Sequence, residues 1–200
     1  MKRKFIISIS MLILVISVII LANVLKNDNK KIKVGNNNSI KEIEQILNIE
    51  SYKAKITVRV RSNKNENQYV IEQEVKKNLY ERAKIESPNE IKGVELVFEN
   101  NVLTIKNSKI GASKIYENYK NVGNNMLFLT DFISEYKEKN GKIEKNENET
   151  KLIIKTNDRY SSKKTLIINN KTLKPKEMLI QDNTQNLRVY ILYNEIEFNI

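Results

Sequence analysis

YKAKITVRVR, residues 52–61, sets Ala54, Ile56, Val58 and Val60 in alternation with Lys53, Lys55, Thr57, Arg59 and Arg61. Successive side chains of an extended strand point to opposite sides, so a period of two marks a strand with one buried face and one wet face. The polar turn SNKNEN (62–67) follows, and QYVIEQEV (68–75) resumes the alternation with Tyr69, Ile71 and Val75 on one phase. The two segments spell an antiparallel hairpin. The same pattern recurs outward from it. A strand from Asn78 to Glu86 closes at Ser87-Pro88, and VELVF (94–98) joins VLTIK (102–106) through Asn100-Asn101, a residue type that tolerates the left-handed backbone of a tight turn. KIEK (142–145), KLIIKT (151–156), KTLIIN (164–169), TLKPKEMLIQD (172–182) and LRVYILYNEIEF (187–198) continue the series, with a turn expected at Asn169-Asn170.

Two segments break the period. In IKEIEQILNI (40–49), Ile40, Ile43, Ile46 and Leu47 fall at helical spacing, and Ser39 with Glu42 forms a capping-box signature. Met126, Leu127, Leu129, Phe132, Ile133 and Tyr136 trace a second apolar stripe, ending at Asn140-Gly141. Helices inserted at two places, without alternating with every strand, predict an α+β fold, mainly β, built on one curved antiparallel sheet. A doubly wound parallel sheet does not fit that order.

Ahead of the domain runs FIISISMLILVISVIILANVL (5–25), which contains no charge. At about 1.5 Å per helical residue it reaches about 30 Å, the thickness of a bilayer's hydrocarbon core. Lys2-Arg3-Lys4 favours a cytoplasmic N-terminus and an exported remainder. Residues 1–25 are therefore read as a signal anchor, 26–38 (KNDNKKIKVGNNN) as a polar linker, and 39–200 as a β-rich domain. This makes a single-pass cell-membrane protein with its N-terminus inside and its domain outside. A cleaved signal peptide shares the basic start and apolar run and stays open as an alternative. Val24 stands where a lipoprotein would carry its Cys, so lipid attachment at that point is excluded.

The formal charge is +11. Lys2, Arg3, Lys4, Lys26, Lys30, Lys31 and Lys33 stand against Asp28 alone in the leading segment, so the domain itself is only mildly basic and nucleic acid is not an expected partner. The sequence has no Cys and no His, which removes disulfides, thiolate nucleophiles, the usual zinc ligand sets and imidazole acid–base chemistry. Glu72, Glu74, Glu95 and Glu99 fall on the polar phase of strands and read as a solvated face, and Asp182 reads as a turn residue accepting backbone hydrogen bonds. Without His, a serine nucleophile would need a lysine base. Ser-x-x-Lys spacing occurs at Ser134/Lys137, late in a helix, and at Ser161/Lys164, in a polar loop, whereas that motif belongs at a helix start. The scattered glycines make no phosphate loop. No catalytic, cofactor-binding or metal-ligating residue is assigned, and no cofactor is expected. For an interface, Tyr190 lies on the opposite phase from Leu187, Val189, Ile191 and Tyr193, and Lys53, Lys55, Arg59 and Arg61 share one strand face. Neither feature singles out interface residues.

Over residues 41–200 the succession resembles the LolA/LolB-like fold, an incomplete barrel of antiparallel strands whose concave side is covered by helices. The resemblance is most specific in TLKPKEMLIQDNTQNLRVYILYNEIEFN (172–199), where Pro175, Met178, Ile180, Asp182, Tyr190, Tyr193 and Asn199 occupy a Pro–strand–Asp–turn–strand ending. QYVIEQEVKKNLYERAKIESP (68–88) is similar to the family's paired strands that close at a proline. Within that group the chain looks most like the GerS-type germination proteins of spore-forming bacteria, which are usually lipoproteins. The resemblance implies a non-catalytic, membrane-anchored binding protein at the inner spore membrane facing the cortex, whose partner is a cortex-modifying cell-wall amidase. A lipid or lipoprotein carrier with a hydrophobic cavity between sheet and helices, or a lipid-reading sensor, are the other uses that the fold implies.

Overall fold

The structure, a computed structural model, describes residues 43–62, 64–119 and 127–199. Residues Asn37–Ile200 form a unit separate from Met1–Asn36. The expected anchor, linker and Ser39–Glu42 capping box lie outside the described residues, as does Met126. Among the described residues no helix is long and apolar enough to cross a membrane.

Alternation along the chain becomes eleven strands: β1 (Ser51–Arg61), β2 (Glu66–Lys76), β3 (Tyr80–Ser87), β4 (Val94–Glu99), β5 (Val102–Asn107), β6 (Ala112–Tyr116), β7 (Lys142–Lys145), β8 (Glu149–Lys155), β9 (Lys163–Asn169), β10 (Pro175–Gln181) and β11 (Leu187–Asn199). They form one antiparallel sheet in the order β6-β5-β4-β3-β2-β1-β11-β10-β9-β8-β7. Strands one to six step away from β1 as consecutive hairpins. Helix α1 (Leu129–Glu138) follows, and strands seven to eleven step back until the last pairs with the first, Tyr52 opposite Phe198 and Val60 opposite Val189. The sheet is curved and open, with β6 and β7 as its ends.

Register places one residue set on the inner face. Tyr52, Ala54, Ile56 and Val58 of β1 lie beside Ile71, Gln73 and Val75 of β2 on one flank, and beside Ile191, Tyr193 and Ile196 of β11 on the other. All are buried. Tyr193 and Ile196 differ by three positions, which strict alternation would send to opposite faces. A bulge in β11 opposite Lys55/Ile56 absorbs the extra residue, and the Thr57 hydroxyl donates to Asn194 Oδ1 at 2.8 Å beside it.

Two connections and one strand depart from the expected pattern in an instructive way. Asn78 sits in the turn before β3 with φ +62°, so the strand begins at Tyr80. The β9–β10 connection is longer than two residues, because Asn169 Oδ1 accepts the Lys171 and Thr172 amides and Leu173 takes φ +54°. Strand β6 escapes the sequence reading because all five of its residues are exposed and leave no apolar phase. Asn100 and Asn101 do take φ +50° and +62°, the geometry of the expected tight turn.

Helix α1 lies against the inner face and fills it. Leu129, Phe132, Ile133 and Tyr136 are buried with Phe128 in one core with the inward strand residues. It stops as the sequence expects: Asn140 turns left-handed at φ +48°, and the Gly141 amide bonds back to the Tyr136 carbonyl at 3.0 Å. Residues 43–47 are helical as well, with Ile43 and Ile46 joining the same core.

Candidate functional site

Phe128, at the N-cap of α1, makes no side-chain capping bond. The sheet supplies the cap instead. The Tyr52 hydroxyl accepts the Leu129 amide at 3.0 Å and donates to Gln73 Oε1 at 3.2 Å, while Gln73 Nε2 donates to the Leu127 carbonyl at 2.9 Å. Both side chains occupy inward strand positions, so satisfying them with the helix end removes two buried polar liabilities at once.

Two charged residues share that inner face. Glu81 on β3 accepts a hydrogen bond from the Thr130 hydroxyl at 2.7 Å, and Lys164 on β9 pairs with Glu135 of the helix at 2.5 Å. Lys164 is 3% exposed. Asp131 lies between these clasps, and its Oδ2 has no hydrogen-bond partner. Burial, reinforced by Glu81 and Glu135 and opposed by Lys164, pushes its carboxyl up to about 7. Burial likewise raises Glu81. A carboxyl titrating near neutrality is a recognised mark of functional sites, but Glu81 and Glu135 are committed to fastening the helix, which is the reading the geometry favours. The sequence signal for this cluster was the phase: Glu81 and Lys164 stand on the inward phase of their strands, where a charge needs a partner.

The Ser-x-x-Lys pairs do not form. The Ser134 hydroxyl donates to the Thr130 carbonyl, Lys137 reaches Asn48, and Lys164 is held by Glu135. Asp182 is a turn residue as expected. Its Oδ1 accepts the Thr184 and Asn186 amides and the Thr184 hydroxyl, its Oδ2 accepts Arg188 at 2.6 Å, and these bonds hold its carboxyl far below the usual range. The outer face neutralises itself. Lys53 pairs with Glu74, Glu74 with Arg82, Arg82 with Glu95, and Arg61 with Glu66. Arg59 stacks over Tyr190 with its guanidinium 5.5 Å from the ring centroid, so Lys53, Arg59, Arg61 and Tyr190 are all engaged within the sheet.

Among the described residues, several exposed apolar side chains gather around one sheet end. Strand β6 is hydrogen-bonded to β5 on one side only, and Ile110, Ile115 and Tyr116 around it are exposed, Ile110 to 73% and Ile115 to 62%. The other end, β7, is four residues long and reads Lys-Ile-Glu-Lys, the charged, short form that discourages pairing.

One open, curved sheet of consecutive antiparallel strands with a helix on its concave side defines an incomplete β-barrel domain. The chain belongs to the YdcC-like sporulation protein family, whose model matches residues 2–200. Among solved structures it is similar to the GerS lipoprotein in complex with the CwlD amidase from Clostridioides difficile, at TM-score 0.53 and 23% identity over 84% of this chain and 98% of the other. A conserved protein from Thermus thermophilus matches at TM-score 0.54 and 8% identity, over 82% and 88%. A LolA superfamily protein from Nitrosomonas europaea matches at TM-score 0.42 and 13% identity, over 80% and 93%. No curated protein matches the chain. The likeness to GerS bears out the fold resemblance read from the sequence.

Proposed function

We propose that this protein is a non-catalytic binding protein, anchored in the membrane by residues 5–25 with its domain outside, that engages a cortex-modifying cell-wall amidase in spore germination. The observation that carries the reading is the outer edge of β6, which pairs with no further strand among the described residues. That edge, with exposed Ile115 and Tyr116 beside it, suits an extended partner segment that adds as a further strand, main-chain bonds supplying affinity and the side chains specificity. Membership of a sporulation family supports the setting, and the GerS–CwlD complex supports an amidase as the partner class. A carrier would need an open apolar cavity where Phe128, Leu129, Phe132 and Tyr136 instead pack against the sheet. The direct test is capture of a purified cortex amidase from the same organism by the full-length protein in detergent micelles. A stable complex at micromolar concentration is expected; no complex removes the amidase.

A further inference from the structure

At the end of β1 away from Ser51, three connections meet: the β1–β2 turn, the β8–β9 loop and the β10–β11 turn. Between them lies a groove of about 730 Å³. That volume lies in the range of sites that hold a small ligand or a segment of a polymer. Its floor is the outer end of the inward strip, where Val60 and Val189 pair in register and Val60 is 39% exposed. The bonds that the start of α1 and the preceding Leu127 make to β1 and β2 fall at Tyr52 and Gln73, toward the other end of those strands.

The rim is cationic. Arg61, Lys64, Arg159 and Arg188 line it, against the single carboxylate of Asp182. Asp182 is saturated by its own turn and by Arg188. Arg61 is matched by Glu66. Among the described residues Lys64 and Arg159 make no ion pair, which leaves two uncompensated cations over an apolar floor.

Beside them stands Tyr160, 67% exposed, with the Arg159 guanidinium 5.7 Å from its ring centroid. Its exposure does not come from a loose loop. The Asp158 carboxylate accepts the Tyr160 and Ser161 amides, the Thr156 amide bonds to the Ser162 carbonyl, and the Asn183 amide bonds to the Arg159 carbonyl, tying the loop to the β10–β11 turn. An aromatic ring presented to water on a pinned backbone is a preformed platform with little entropy left to lose on binding.

We infer that this groove binds a carboxylate-bearing glycan strand, with the sugar faces against Tyr160, Val60 and Val189 and the carboxylates at Lys64 and Arg159. An acidic peptide would meet the same cations but has no need of the ring, and the floor offers no deep pocket for a side-chain anchor. The inference stands apart from the amidase reading and uses none of its residues.

The test is calorimetric titration of the full-length protein in detergent micelles with three probes: a soluble muropeptide oligomer bearing stem-peptide carboxylates, a neutral chitin oligomer of equal length, and poly-glutamate. Saturable muropeptide binding is expected, with the neutral oligomer at least tenfold weaker. Tyr160→Ala and the pair Lys64→Ala with Arg159→Ala each weaken it about tenfold, while thermal melting is unchanged because the altered side chains are exposed. Absence of muropeptide binding overturns the inference. Equal binding of the neutral oligomer overturns the charge argument, and poly-glutamate binding indifferent to Tyr160→Ala reassigns the groove to an acidic peptide. These variants leave amidase capture intact, so failure here and failure of the amidase partner are told apart.

Discussion

The Tyr52 hydroxyl caps a helix that lies 77 residues further along the chain, accepting the Leu129 amide at 3.0 Å while donating to Gln73. Burial and this environment raise its phenol well above the ordinary range, so it is a neutral hydrogen-bonding group at every physiological pH. Tyr193, on the neighbouring strand, is buried too, but its hydroxyl has no partner. The same deletion therefore has different consequences at the two sites. Tyr52→Phe strands an amide and a side-chain oxygen and costs about 1–3 kcal/mol, whereas Tyr193→Phe is neutral or stabilising. Urea midpoints at constant m-value decide it; equal losses at both positions would refute the capping role.

Gly141 is held by space. A Cβ there would lie 2.3 Å and 2.4 Å from two ring carbons of Tyr136 and 2.9 Å from the Ile153 carbonyl oxygen. Relief requires moving a buried ring that stacks on Phe132 at 6.2 Å. Gly141→Ala is expected to destabilise by about 1–3 kcal/mol, the usual cost of overpacking. Asn140→Gly, at φ +48°, is expected to be harmless or mildly stabilising. Thermal melts of the two variants check both, and a stable Gly141→Ala protein would show that the ring has somewhere to go.

The Lys164–Glu135 pair is a bond whose halves are worth less than nothing alone. Removing one partner leaves a charge in the core, and Glu135→Leu is expected to cost about 3–5 kcal/mol. Adding Lys164→Met removes the remaining buried charge and returns most of the loss. A double-mutant cycle measures the coupling; a double variant no more stable than Glu135→Leu would contradict a buried, interdependent pair.

Asp131 makes stability depend on pH. Unfolded, its carboxyl titrates at about 3.9; folded, it is raised to about 7 by burial and then by Glu81. Between those values the native state keeps a proton that the unfolded chain has released. Stability contributed by this residue is therefore full below about pH 4, falls as pH rises through the window, and stays low above about 7. Asp131→Asn is expected to gain on the order of 1–3 kcal/mol over the parent at pH 8 and almost nothing at pH 4. Denaturation at both pH values reads the difference, and a gain of the same size at each would rule out titration as its origin.

Ile115 tests the docking edge. It is 62% exposed and opposes Thr104 on the outer face, so Ile115→Lys leaves the fold untouched. A charge at a sheet edge opposes strand addition. Amidase capture is expected to drop at least tenfold with the melting temperature unchanged, and full retention would move the interface elsewhere.

What the sequence settled by itself is local. Alternation in YKAKITVRVR and its successors told which side chains turn inward, Asn100-Asn101 announced a hairpin, and the stripe through Leu129, Phe132, Ile133 and Tyr136 announced a helix and its end. These signals depend on spacing within one segment, and backbone geometry converts spacing into faces. The tertiary structure alone decided which strand meets which. Nothing in either segment names Phe198 as the neighbour of Tyr52, or calls for a bulge at Asn194 to bring Ile196 back inward. Strand β6 has no buried phase to advertise, and exists because β5 offers it an edge. The charged clasp and the groove are assembled from residues scores of positions apart, and their chemistry arises from burial and proximity, two quantities that exist only once the chain has folded.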